Sequence, residues 1–396
     1  MHDVTRQVRA MYEKYPYPQR SPGAMIDIYP DLLLSYLEGG PRRGRLQVLD
    51  AGCGTGLVCL GTAMCNPRVA VTAIDLNRSA LRQVRSEAAD LGLKNLSLQE
   101  VDLMTLEGLT PPAQGYDIIV SSGVLHHLPD PQEALNRLAS LLAPGGVMRV
   151  MVYNRWGRQG LYRFVAALDA LYPDRQKIEE RLLLGRRLMA GLPNNPAARP
   201  PFTDAHTIGD VEFVDRYLHP QDRSYSVTEF LQMAESAGLR FLRWWEPRHW
   251  SLETICPDPA LRAQLADLPR DRVWTAVELL SDRPQIDLYL CRPEAQARAV
   301  GDDLAKTRVA LSPQTTLRTT ARMTGPVVFP FHVEVSVRDE APRFLTGLEK
   351  AILDLGPAPL KGSQILERLG HSASPREISD AVTLLLDQEV LFRPHA

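Results

Sequence analysis

The residues best suited to chemistry lie in the run Val48-Leu49-Asp50-Ala51-Gly52-Cys53-Gly54-Thr55-Gly56. An apolar strand ending in alternating glycines brings main chain against a ligand, because glycine tolerates φ > 0 and has no Cβ to hold the ligand away. The spacing is Gly-x-Gly-x-Gly, whereas the dinucleotide fingerprint is Gly-x-Gly-x-x-Gly. Asp75 ends the next apolar run, 19 residues beyond Gly56. That is close to the roughly 20-residue interval at which an acid meets a ribose diol. Asp102 ends a third run, where its carboxylate can accept from an adenine amino group. His126 and His127 follow a fourth run as candidate proton-transfer groups, their structural alternative being to shape the loop. Tyr153 and Arg155 follow a fifth; Arg155 suits a carboxylate on a second substrate, or a surface ion pair.

These positions require strands that alternate with helices. Residues 48–51, 69–75, 96–102, 116–121 and 147–153 read as buried strands, with helices over 79–91 and 131–142 between them. Later, 226–238 reads as a helix capped by Ser226 or Thr228, and 239–245 and 286–291 as strands six and seven. The expected fold is α/β: a Rossmann-like, doubly wound, seven-stranded sheet whose last strand is antiparallel. The antiparallel closing pair and the glycine spacing both argue against a nicotinamide dehydrogenase.

The Asp-Ala-Gly-Cys-Gly-Thr-Gly loop, Asp75, Asp102, the Val124-Leu125-His126-His127-Leu128 segment and the Leu142-Ala143-Pro144-Gly145-Gly146 turn occur in one order. With them, 46–153 resembles the core of class I S-adenosylmethionine-dependent methyltransferases, above all the branch with the ubiquinone and menaquinone methylases. The resemblance implies S-adenosylmethionine as cofactor, at the carboxyl ends of strands one to four, with its methionine portion over Gly52 to Gly56. The cofactor set is then Asp50, Gly52, Cys53, Gly54, Gly56, Asp75, Leu76, Asp102, Leu103 and Ser121. Cys53 lines the cofactor on this reading and is not a nucleophile. His126, His127 and Tyr153 are the catalytic candidates, and Arg155 and His219 the acceptor-binding ones.

Around this core the chain divides, on sequence, into an N-terminal cap over 1–45, the methyltransferase domain over 46–295, linker and strands over 296–340, and a winged-helix-like domain over 341–396. In the cap, Tyr12, Tyr15 and Tyr17 alternate with prolines that oppose helix. Tyr12 and Tyr17 are expected to close the cofactor mouth, or else to pack a helix onto the sheet; a helix follows over 24–37. An insertion of about 70 residues at 153–225 exceeds ordinary loop length and reads as a lid, with two helices divided at Pro173. It ends in a polar cluster, Asp204, His206, Asp210, Glu212, Asp215, Arg216, His219, Asp222 and Arg223, that suits a metal site, a recognition loop for a polar acceptor, or a solvated surface loop. No metal-ligand spacing repeats in it, and no metal is assigned.

Composition bounds the rest. With 45 basic and 47 acidic residues among 396, no basic excess marks a nucleic-acid partner. In the C-terminal unit, Glu377, Asp380, Asp387 and Glu389 on and after the third helix oppose entry into a phosphate-lined groove, so protein docking or a homodimer contact is expected. No stretch is apolar enough for a membrane span and no signal peptide is evident. Five cysteines without a Cys-x-x-Cys pair read as reduced thiols, so the expected location is cytoplasmic. The acceptor is expected to be a small metabolite, methylated on oxygen, nitrogen or carbon, with a protein or peptide side chain as the alternative.

Overall fold

Strand β1 (Gln47–Ala51) is buried along nearly its whole length, as expected of a central strand covered on both faces. It lies between β2 (Ala70–Asp75) and β4 (Tyr116–Ser122), parallel to both. With β3 (Leu96–Glu100), β5 (Leu142–Tyr153), β6 (Arg240–Trp244) and β7 (Gln285–Cys291) it forms one seven-stranded sheet of order β3-β2-β1-β4-β5-β7-β6. Strand β7 runs antiparallel to both β5 and β6. Strand order reverses between β1 and β4, and at such a switch point the loops after the two strands part and leave a crevice at their carboxyl ends. The computed structural model describes residues 3–19, 25–26, 28–37, 44–192, 208–296, 308–312, 315–324, 327–337, 343–356, 358–388 and 390–393.

The chain forms two units, one of residues 1–28 and 43–295, the other of 29–42 and 296–396. In the first, α1 (Asp3–Lys14) precedes the sheet; α2 (Pro30–Leu34) belongs to the second. Helices α3 (Leu57–Cys65), α4 (Arg78–Asp90) and α5 (Pro131–Leu141) connect the parallel strands. After β5 come α6 (Gln159–Leu171), α7 (Ile178–Gly191) and α8 (Asp210–Tyr217), then α9 (Val227–Ser236), α10 (Pro259–Gln264) and α11 (Arg270–Leu280). A capping box starts α9, Ser226 accepting from the Glu229 amide while Glu229 reaches back to the Ser226 amide. Ser226, rather than Thr228, is therefore the cap.

One core of the first unit fills the sheet and its flanking helices, from Leu49 and Ile119 to Trp244 and Leu290. A second joins α1 to the insertion: Met11 packs with Leu161, Phe164 and Leu168 of α6, Met189 of α7, and Phe213 and Val214 of α8. The N-terminal segment and the insertion thus share one hydrophobic layer.

In the second unit, β8 (Arg308–Leu311) lies between β12 (Leu360–Lys361) and β13 (Leu391–Phe392), antiparallel to each. The hairpin β9 (Thr315–Thr324) and β10 (Val327–Val337) carries β11 (Arg343–Phe344) at its edge. Helices α12 (Gly347–Leu353), α13 (Gly362–Leu369) and α14 (Pro375–Asp387) enclose a core that includes Ile352, Ile365, Ile378 and Leu385. Among the described residues no helix is long and apolar enough to cross a membrane. Asp204, His206 and Glu389, singled out in the sequence, lie outside the described residues.

Candidate active site

At the carboxyl ends of β1, β2 and β4 the chain encloses a cavity of about 410 Å³, within the range of small-molecule sites. Gly52 and Gly54 leave β1 at φ +86° and +50°, in the left-handed region. A Cβ on Gly52 would lie 2.5 Å from a Val124 methyl, and one on Gly54 would lie 3.2 Å from the Tyr17 carbonyl oxygen. Both glycines are required by close approach, and both line the cavity. Asp75 holds this loop: one carboxylate oxygen accepts from the Gly54 amide and the other from the Asn77 amide, each at 2.8 Å. Asn77 caps α4 through its side-chain oxygen and donates from its amide nitrogen to the Tyr12 carbonyl at 3.0 Å. Thr55 donates to the Pro18 carbonyl at 2.9 Å. Residues 12–18 are therefore tied over the glycine loop by its own polar groups.

Asp50 is buried, and its Oδ2 has no hydrogen-bond partner. Burial and the neighbouring Asp75 push its carboxyl up to about 7. Asp102 accepts from the Met104 amide at 2.8 Å and, like Asp75, faces the cavity. The lining carries Asp50, Asp75, Asp102, Asp215 and Asp287 against Arg9 and Arg149, an excess of carboxylates that favours a cationic ligand.

The far wall is made by residues remote in sequence. Arg149, Met151 and Tyr153 share one face of β5 by its two-residue period, and Gln285 and Asp287 do so on β7. Arg149 donates to both oxygens of Asp287, at 3.0 and 2.7 Å, and stacks on Trp245. From above, Tyr12 of α1 donates to Asp215 of α8 at 2.8 Å. Asp215 is 5% exposed, and burial pushes its carboxyl up to about 6. His127 stacks on His219 with ring centroids 3.8 Å apart. Its Nδ1 lies 2.9 Å from the Gln221 carbonyl, which can only accept, so Nδ1 carries the proton and the lone pair is on Nε2. Burial holds this imidazole below its ordinary range, hence neutral at neutral pH.

Residues 49–148 match the family model described as a methyltransferase domain. An uncharacterised protein of Synechococcus sp. is 32% identical over 298 residues, 70% of this chain and 69% of that one. An uncharacterised methyltransferase of Mycobacterium tuberculosis is 38% identical over 110 residues, 28% of this chain and 52% of its own length. A ubiquinone biosynthesis O-methyltransferase of Coxiella burnetii is 33% identical over 135 residues, 34% of this chain and 55% of its own length. The chain thus spans about half the length of these two methyltransferases. The solved structure of PKMT2 from Rickettsia typhi in complex with AdoHcy superposes with TM-score 0.67 over 96% of this chain and 78% of that one, at 17% identity, a likeness of fold. The chain belongs to the class I S-adenosylmethionine-dependent methyltransferases. Its reaction class is methyl transfer and its cofactor is S-adenosylmethionine. The site residues fit that group: the backbone comes close at Gly52 and Gly54, and Asp50 keeps an unpartnered carboxylate oxygen in a cavity rich in acids.

In this methyltransferase most residues singled out from sequence meet at the cavity: Asp50, Gly52, Cys53, Gly54, Asp75, Leu76, Asp102, Leu103, Tyr12, Tyr17, His127 and Tyr153. Others stand outside its lining, each for a physical reason. Gly56 is left-handed because it starts α3 against Val84 and Leu60. Ser121 is fully buried, its hydroxyl donating to the Ala51 carbonyl, and Ser122 faces the cavity instead. His126 lies behind the wall, its ring 3.9 Å from that of Tyr153. His219 supports His127 from behind. Arg155 is an exposed partner of Glu229 at 2.8 Å. Asn77 and the Arg149–Asp287 pair were not among the sequence candidates, and Asp215 was named only as one member of the polar cluster that ends the insertion. Their one signal was a charge or amide within an otherwise apolar run, as with Arg149 in β5.

Proposed function

We propose that this methyltransferase transfers its methyl group to an oxygen, nitrogen or carbon of a small-molecule metabolite seated against Tyr12, His127, Tyr153 and Asp215. The observation that carries this reading is one cavity lined both by the glycine loop with Asp75 and Asp102 and by that wall. Its modest volume and the closure of its mouth by residues 12–18 favour a small acceptor over a protein side chain. The Coxiella relative, an O-methyltransferase by name, supports a small hydroxylated acceptor beside a core of this kind.

Bound S-adenosylmethionine supplies a methyl carbon activated by a positive sulfur. Asp75, already oriented by two amide donors, would accept from the ribose hydroxyls, and Asp102 from the adenine amino group. Tyr12 and Tyr17 exclude water from the reacting end. Asp215, which is ionised above about pH 6 and steadied by Tyr12, would take the proton of the acceptor's nucleophilic atom. The insertion between β5 and α9 acts as the lid that selects the acceptor, since Asp215 is on its helix α8.

The test is to incubate the protein with methyl-labelled S-adenosylmethionine and a desalted lysate split at about 5 kDa, a cut well below ordinary domain mass. Label in the small, solvent-extractable fraction is expected. Label on a protein band would replace this reading with the protein-acceptor one.

A further inference from the structure

Beside His127 of the acceptor wall lie two polar groups, His126 and Asp222, that methyl transfer does not use. His126 is fully buried, and neither ring nitrogen has a hydrogen-bond partner. Asp222 Oδ1 is likewise buried and without a partner. Buried polar atoms are nearly always satisfied, and a cluster of exceptions points to a bound species. We propose that His126, His127 and Asp222 form a binding site for one divalent metal ion of borderline softness, such as zinc or cobalt.

Three features support the assignment. One ligand atom from each residue lies within 4.8 Å of those of the other two. A metal with nitrogen and oxygen ligands at roughly 2.0–2.2 Å is reached from there by small side-chain rotations. The donor set, two imidazoles and one carboxylate, is that of a site with open positions. The surroundings also orient the ligands as metal sites require. Asp222 Oδ1 lies 3.6 Å from His127 Nδ1, so that nitrogen exchanges its contact with the Gln221 carbonyl for the ion, its proton moving to Nε2, and Tyr162 donates to the other oxygen of Asp222 at 3.0 Å. His219 is not a ligand, because its Nδ1 accepts from the Gln221 amide at 3.1 Å and the proton therefore sits on Nε2. Arg158 is the opposing charge: it stacks on Tyr153 and lies 3.8 Å from Asp222 Oδ2. Asp215, whose charge acts on His127, offsets that guanidinium. The sequence concealed this set, because the histidine pair follows β4 and the carboxylate follows α8, with no motif spacing between them.

The experiment is cobalt and zinc titration of the full chain after stripping with a chelator. One equivalent of Co²⁺ should bind, with visible d–d absorption of a low-coordinate nitrogen and oxygen site, and Zn²⁺ should displace it. His126→Gln and Asp222→Asn should each weaken binding by at least about tenfold, and Tyr162→Phe by about tenfold through its hold on Asp222. Circular dichroism and S-adenosylmethionine binding of each variant report that it is folded. Should a ligand variant not fold, Tyr162→Phe and the wild-type spectrum still decide the matter. Absence of a stoichiometric Co²⁺ spectrum, or uptake unaltered in the folded variants, would overturn the proposal and leave water as the species at these atoms.

Discussion

Asp75 and Asp50 do different work although both face one cavity. Asp75 has both oxygens engaged by backbone amides and keeps lone pairs for a diol. Asp75→Ala should weaken S-adenosylmethionine binding by about 1–3 kcal/mol, the range for an unmade buried hydrogen bond; isothermal titration calorimetry on the folded variant checks this, and unchanged affinity would refute the ribose assignment. Asp50 is half protonated near pH 7 and mostly protonated below it, because its carboxyl stands at about 7 instead of 3.8. A carboxyl raised on folding favours the native state at low pH, and that contribution is lost as pH rises through about 7. A cationic ligand reverses the preference and pulls the group toward its ionised form. Affinity for S-adenosylmethionine should therefore rise between about pH 6 and 8, less so for S-adenosylhomocysteine, which lacks the sulfonium charge, and Asp50→Asn should flatten the curve. Gly52, Gly54, Asp75 and Asp102 were legible because a local spacing specifies them. Asp287 was not, and Asp215 stood out only as one of a polar cluster, because distant strands and helices bring them to the wall.

Helices α1 and α8 are far apart in sequence and meet through one buried core and one hydrogen bond, Tyr12 to Asp215. Tyr12→Phe removes a hydrogen bond to a charged group and should cost the first unit about 1.5–3 kcal/mol. Urea denaturation followed by tryptophan fluorescence measures it, since all five tryptophans, Trp156, Trp244, Trp245, Trp250 and Trp274, belong to that unit. A midpoint equal to wild type would contradict the tether. The helices were legible as elements: the apolar spacing at Leu161, Phe164 and Leu168 reports a helix face, and Pro173 falls in the break between α6 and α7. What they pack against was not legible, because periodicity marks a buried face without naming its partner. The same limit explains β9, whose polar Thr-Thr-Leu-Arg-Thr-Thr run pairs with β10 but carries no apolar alternation.

At the scale of the molecule, the cofactor cavity is lined, among the described residues, by the first unit, while Val309, Ile365, Ile378 and Leu385 form a core of the second. Ile378→Ala should destabilise the second unit by about 2–5 kcal/mol, seen as an earlier loss of far-ultraviolet dichroism, with S-adenosylmethionine affinity unchanged. Reduced affinity would show that the second unit contributes to the site. The order β3-β2-β1-β4-β5-β7-β6 was legible as a class because glycine loop, acids and closing turn occur at fixed intervals along the parallel half. The most direct measurement is a crystal structure with S-adenosylhomocysteine. The account predicts the ribose on Asp75, the adenine beside Asp102, and the sulfur turned toward Tyr12, His127, Tyr153 and Asp215. A sulfur turned away from that wall, or a nucleoside bound elsewhere, would contradict it.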